Sequence, residues 1–227
     1  MAIILNLETA TTNCSVSVAK NGEIVALKEE NTPHYSHSEQ LHLFVQESLE
    51  AAKLNITDLD AIAVSKGPGS YTGLRIGVSA AKGFCYALSI PLIGLPTLQH
   101  LALRAMAQVQ DLVIPVLDAR RMEVYGAIYD RELQQVRETQ AEIITVDSFL
   151  DYRHRPLHIV GPGAEKIQGV LQGPHCTFDT ALVPSAREMA PLSHRAYENR
   201  KFEDTAYFEP FYLKDFILQT KKAKRNP

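Results

Sequence analysis

Three groupings in the sequence carry residues whose types and spacing could do chemistry. Residues 63–83 read AVSKGPGSYTGLRIGVSAAKG: a short apolar strand, a turn of Gly67, Pro68 and Gly69, and then a helix. Glycines at a strand-to-helix turn let bare backbone approach a phosphate. His34, His37 and His42 gather with Glu39 near the start of another helix. Imidazole and carboxylate are metal-ligating groups. Asp118, Arg120, Arg121 and Glu123 crowd one predicted hairpin, where guanidinium groups could bind an anion or a partner, or simply pair with the neighbouring acids.

None of the three completes a catalytic pattern. The glycine run does not meet the GxxxxGK[ST] phosphate loop, and neither HExxH nor GxSxG occurs. No two of the clustered histidines stand four apart, so they read as a surface group at a helix entrance, and no metal is expected. Gly73, Gly77 and Ala81 follow the turn at intervals of four and share one nearly bare helical face. Interior glycines each cost about 1 kcal/mol relative to alanine. A close backbone contact or a bound phosphate would offset that cost.

The elements that must position these residues follow from periodicity. Ala2–Leu7, Cys14–Ala19 and Glu23–Leu27 read as strands, with Asn21-Gly22 as the hairpin turn between the last two. Ser36 to Glu39 reads as a capping box opening a helix that runs to about Lys53, with Leu41, Phe44, Val45, Leu49 and Ala52 at helical spacing. The strand Ala61–Val64 and the small-residue helix complete a βββαβα unit. The second half repeats the order: strands at Leu112–Leu117, Glu123–Tyr129 and Ala141–Thr145, a short helix at Val146–Tyr152, and a strand at His158–Val160. That strand meets a second turn of Gly161, Pro162 and Gly163, and a helix from Ala164 to Leu171 follows. Thr177 and Phe178 read as a further strand and Ser185–Arg200 as a terminal helix. The expected fold class is therefore α/β with a duplicated lobe: residues 1–104 and 105–199, joined by a helix at Thr97–Gln108, with residues 200–227 packing back on the first lobe. The tail, with Lys221, Lys222, Lys224 and Arg225, reads as a disordered basic end.

A duplicated βββαβα lobe is the plan of the actin, sugar-kinase and Hsp70 superfamily, whose members cradle ATP on glycine-bearing hairpin turns. Here the corresponding turns read Glu8-Thr9-Ala10-Thr11-Thr12-Asn13 and Asp118-Ala119-Arg120-Arg121, both without glycine. They read as lost nucleotide sites, and no cofactor is expected.

Composition narrows the setting. The chain has 227 residues, 45% hydrophobic, with a formal net charge of −3, which argues against nucleic-acid binding by bulk charge alone. Cys14, Cys85 and Cys176 form no CxxC pair, and the start of the chain has no basic, cleavable leader. These features fit a reducing cytoplasm and no membrane.

ILNLETATTNCSVSV, HSEQL, GPGSYTGLRIGVSAAKG and PVLDARRMEVYGAIYD together resemble the bacterial tRNA threonylcarbamoyladenosine-biosynthesis subunits of the TsaB (YeaZ) family. The likeness is strongest over the first 130 residues and returns in EPFYLKDF near the end. Its motif positions here are Gly67, Gly69, Ser70, Thr72, Arg75, Asp118, Arg120, Arg121 and Glu123. The resemblance implies a two-lobed actin-like fold and a non-catalytic scaffold subunit in the cytoplasm. It implies binding to the catalytic paralogue TsaD and, with it, to the ATPase TsaE, and contact with tRNA through that complex. It also implies self-pairing when the paralogue is missing. The docking face it implies is the first two helices, at His37, Leu41, Phe44, Val45, Gly73, Gly77 and Ala81; packing of the glycine stripe on the protein's own sheet is the alternative. The paralogue's HxxxH metal pair falls on Thr97 and Leu101 here, with His100 one residue out of register. The competing readings are an ATP-dependent transferase or peptidase active on its own, and an RNA-binding module using the basic tail and the Asp118–Glu123 hairpin.

Overall fold

The computed structural model describes residues 1–33, 36–109 and 111–213. His34 and the tail cations Lys221, Lys222, Lys224 and Arg225 lie outside the described residues. The chain opens with an antiparallel meander of β1 (Ile3–Glu8), β2 (Asn13–Lys20) and β3 (Glu23–Asn31). Asn21 (φ 52°) and Gly22 (φ 84°) supply the left-handed pair that a two-residue hairpin demands. Then come α1 (His37–Ala52), β4 (Ala61–Gly67), α2 (Tyr71–Leu88) and β5 (Leu92–Pro96), giving a sheet ordered β3-β2-β1-β4-β5. β1, β4 and β5 run parallel and are almost entirely buried, as their unbroken apolar runs require.

After α3 (Thr97–Ala105) the same sheet is built again from β6 (Leu112–Asp118), β7 (Glu123–Tyr129), β8 (Gln135–Ile143), β9 (Leu157–Val160) and β10 (Cys176–Asp179), with α4 (Ala164–Gln168) between the last two. Its order is β10-β9-β6-β7-β8. Every neighbour has the same sense as its counterpart in the first sheet, antiparallel across the meander and parallel on the other side. The predicted α/β duplication is therefore real, and each lobe ends on a parallel strand beyond the βββαβα unit.

Several expectations need correction. The lobe boundary near 104 does not match the packing. α3 packs Leu98, Leu101, Ala102 and Ala105 against Val113, Leu117, Ala127 and Val160 of the second sheet. α5 (Ala186–Glu198) packs Ala186, Met189 and Leu192 against Ile4, Ala63 and Ile93 of the first. The lobes thus exchange helices, which sequence order alone cannot reveal. The third strand of the second meander is Gln135–Ile143 rather than Ala141–Thr145, because an exposed edge strand of polar residues carries no apolar run. The helix expected at Val146–Tyr152 is a single 3-10 turn, residues 150–152, and α4 stops at Gln168 rather than Leu171. The capping box does not form: Ser36 caps α1 through its carbonyl, which accepts from the Glu39 and Gln40 amides, and not through its hydroxyl.

Residues 200–213 return to the first lobe. The Glu203 amide donates to the Leu92 carbonyl (2.9 Å) and the Phe211 amide to the Lys66 carbonyl (2.7 Å). Lys82 Nζ holds the carbonyls of Ala206 and Phe208, each at 3.0 Å. Among the described residues no helix is long and apolar enough to cross a membrane.

Candidate functional site

The glycine turns are filled by the protein's own backbone. Gly67 (φ 111°) and Gly161 (φ 110°) occupy equivalent positions in the two lobes, in a conformation that disfavours any side chain. A Cβ on Gly67 would lie 2.8 Å from the Phe211 carbonyl oxygen; one on Gly161 would lie 2.5 Å from that of Val116. Gly69 faces the Ala10 carbonyl, which accepts from the Ser70 amide (2.7 Å), and the Gly163 amide donates to the Val116 carbonyl (3.1 Å). Each turn is thereby latched to the hairpin of its own lobe, and carbonyl oxygens occupy the space above the glycines.

The stripe on α2 has the same explanation. A Cβ on Gly73 would fall 2.1 Å from the Thr9 carbonyl oxygen, and one on Gly77 2.3 Å from Thr9 Oγ1. That hydroxyl donates to the Gly73 carbonyl (2.8 Å). Ala81 is buried in the first-lobe core. The expectation that Gly73, Gly77 and Ala81 form a docking face is corrected: the stripe seats the chain's own Thr9. His37, Leu41 and Val45 also point inward, and Phe44 is half-buried against the same core. His37 is not part of a surface cluster, because its Nε2 lies 2.7 Å from the Thr11 carbonyl. Burial holds its pKa below the ordinary histidine value, against the opposing pull of that hydrogen bond and of Glu8. His42 is exposed and its ring lies 5.8 Å from that of Phe84 on α2.

A buried polar cluster lies where α3 crosses the first hairpin. His100 Nε2 donates to Glu8 Oε2, and both side chains are fully buried. Glu8 Oε1 accepts from the Ala10 amide and from Ser65 Oγ (3.1 Å). A serine, a glutamate and a histidine meet here in the wrong order for nucleophilic catalysis, which places the histidine between nucleophile and acid. The carboxylate is in the middle and no solvent reaches it, so the arrangement can hold the hairpin and α3 together but cannot attack a substrate. Thr97 and Leu101 are buried beside it, and Leu101 packs on Gly161. Cys14, close to Glu8 and Glu30, is pushed up to about 12 by burial first and by those charges second, so it stays a thiol.

What α1 and α2 present outward is a different set. On α2, Ser79, Gly83 and Ala87 recur every four residues and are exposed, flanked by half-buried Ile76, Ala80 and Phe84. Among the described residues, a Cβ on Gly83 would meet nothing within 4 Å. On the neighbouring α1, Leu43 is 52% exposed, and Tyr86 on α2 is 86% exposed. Sequence reasoning missed this second small-residue stripe; its spacing was legible, but the inward stripe contained two glycines and drew the attention.

The remaining motif residues divide by lobe. Ser70 caps α2, accepting from the Gly73 amide (3.2 Å), and Thr72 is exposed. The Arg75 guanidinium lies 4.2 Å over the Tyr71 ring and donates through Nε to the Tyr212 hydroxyl (3.2 Å), tying the returning segment to α2. In the second lobe Asp118 accepts from Lys166 Nζ and from the Arg120 amide. Arg120 and Arg121 are exposed, with φ of 67° and 52°. Among the described residues no group of three histidine, cysteine or carboxylate side chains is placed to hold a metal ion.

Fold and site together define an actin-like protein of two α/β lobes, with both glycine turns closed by backbone. The family model for tRNA N6-adenosine threonylcarbamoyltransferase, TsaD, matches residues 31–216. The tRNA threonylcarbamoyladenosine biosynthesis protein TsaB of Escherichia coli is 30% identical over 226 residues, 96% of this chain and 97% of that protein. The protein of the same name from Haemophilus influenzae is 32% identical over 98% of each chain. YeaZ from Pseudomonas aeruginosa superposes with a TM-score of 0.80 at 26% identity, covering 94% of this chain and all of that one. The chain belongs to the TsaB (YeaZ) family.

Proposed function

We propose that the chain takes part in tRNA threonylcarbamoyladenosine biosynthesis as a non-catalytic cytoplasmic subunit that docks a TsaD-like paralogue through the outward face of α1 and α2. The observation that carries the reading is Gly83. A glycine inside an exposed helix costs about 1 kcal/mol relative to alanine, and nothing among the described residues requires it, since a side chain there would meet none of them within 4 Å. Ser79 and Ala87 extend the same row, and Leu43 supplies an exposed apolar contact beside it. Small residues in a row let a second helix approach closely, which offsets the cost of the glycine in the assembly rather than in the subunit. The match of a TsaD model to most of this chain supports a paralogous partner with helices of the same kind. A TsaE-like ATPase joins that pair, tRNA is met through it, and the same face pairs two copies of this chain when the paralogue is missing.

A scaffold role rather than an enzyme active alone is supported by the closed glycine turns and by the solvent-free Glu8–His100 pair. The test is reconstitution. Purified chain supplied with tRNA, ATP, threonine and bicarbonate should yield no threonylcarbamoyl-tRNA, and addition of the TsaD-like and TsaE-like proteins with a source of the threonylcarbamoyl adenylate should yield it. Product from the chain alone, or full product from the partners without it, contradicts the reading.

A further inference from the structure

We infer that the second-lobe hairpin at Arg120 and Arg121 is a contact for the phosphate backbone of RNA, offered by this subunit to the tRNA that the assembly modifies. Two consecutive non-glycine residues sit there in the left-handed region (φ 67° and 52°). Left-handed backbone disfavours a branched or bulky side chain. The pair turns the chain from β6 into β7, where the Ala119 amide donates to the Glu123 carbonyl (3.1 Å) and the Glu123 amide to the Arg120 carbonyl (3.2 Å); glycine or asparagine would serve that backbone with less strain, yet arginine stands at both positions. Neither guanidinium enters an ion pair among the described residues, and both are exposed. Asp118, which would be their natural partner, is instead taken by Lys166 Nζ and by the Arg120 backbone amide. Lys166 also donates to the Glu123 carbonyl (3.2 Å), so the hairpin is braced from below while its two cations stay free of Asp118.

The position supports the reading. The hairpin stands at the end of β6 beside the Gly161–Gly163 turn, the edge at which open α/β sheets meet their ligands. In the first lobe the equivalent hairpin, Thr9 to Thr12, is closed over by the eighteen-residue α2. In the second lobe α4 has five residues and leaves the hairpin open. Adjacent guanidiniums fit phosphate oxygens bidentately, and such contacts act by releasing counterions rather than by reading bases. A chain of net charge −3 needs a local cationic patch of this kind to touch RNA at all.

The inference rests on the proposed role in tRNA modification. Its test uses the full chain carrying Arg120→Asn and Arg121→Asn together, since asparagine tolerates left-handed backbone and carries no charge. The probe is an unmodified transcript of a tRNA that reads a codon beginning with A, bound by the assembly of this chain with its TsaD-like partner across a salt series. The variant should keep or raise its thermal midpoint and still join the partner. For two lost phosphate contacts, the slope of log affinity against log salt should flatten by about 1.4 to 1.8. Arg120→Lys with Arg121→Lys should keep most of the slope. An unchanged slope and affinity overturns the inference. Loss of the partner instead of the RNA also overturns it and makes the hairpin a protein contact. If the wild-type assembly binds no tRNA, the proposed function fails and this inference with it; if the wild type binds and the variant binds equally, only this inference fails.

Discussion

The two lobes share one sheet and differ in what covers it. In the first, α1 of sixteen residues and α2 of eighteen lie over the strands. In the second, the same places hold a 3-10 turn of three residues and α4 of five. One duplicated scaffold therefore yields two kinds of surface. Long helices bury the first hairpin and create a new outward face whose Gly83 meets no described residue. Short ones leave the second hairpin exposed, with two arginines in strained backbone. The difference teaches that the duplication preserved the sheets and their glycine latches, while the surfaces diverged through helix length.

The sharpest way to break the comparison is to cut the polar link at each hairpin. His100→Leu leaves the Glu8 carboxylate buried with only Ser65 and the Ala10 amide for company. Removing one partner of a buried pair costs about 3–5 kcal/mol, which denaturant unfolding will read. Lys166→Ala in the second lobe removes a link to Asp118, whose side chain is 54% exposed, and should cost less than about 1 kcal/mol. Equal losses at the two hairpins would erase the distinction between a locked turn and an open one.

A smaller effect is expected with acid. Burial depresses the pKa of His37 in the first lobe and of His158 in the second. Each folded value lies below the unfolded one, so the unfolded chain takes up the proton first. Stability should be full above about pH 6.5 and fall as acid carries the solution down through the folded values. His37→Gln keeps a donor for the Thr11 carbonyl and should flatten that fall. A variant that follows the wild-type pH curve would show that His37 does not contribute to it.

Much of this was legible in the sequence, because apolar runs and the twin glycine-proline-glycine turns announce the duplicated sheets. The helix exchange was not, since Leu98 and Met189 look alike whichever sheet they cover. The return of the segment after residue 200 to the first lobe was expected from the sequence, but its contacts were not legible: Phe208 and Phe211 have no periodicity, yet Gly94 and Gly67 are shaped to them. At the site, glycines at 73 and 77 correctly signalled close approach, but a helical stripe does not say whether the approaching group is Thr9 of the same chain or a second chain. The informative glycine was 83, beside which no described residue comes within 4 Å of where a Cβ would sit.

That contrast supplies the most direct measurement. Gly77→Leu and Gly83→Leu place the same side chain on the same helix, six residues apart, one facing Thr9 and the other facing solvent. Binding to the TsaD-like subunit would be measured beside each variant's thermal midpoint. Gly77→Leu should lower the midpoint through overpacking, which typically costs about 1–3 kcal/mol or more. Gly83→Leu should leave the midpoint as it was or raise it, and should abolish or sharply weaken partner binding. A Gly83→Leu variant that stays folded and binds the partner with wild-type affinity would contradict the claim that this outward face is where the subunit docks.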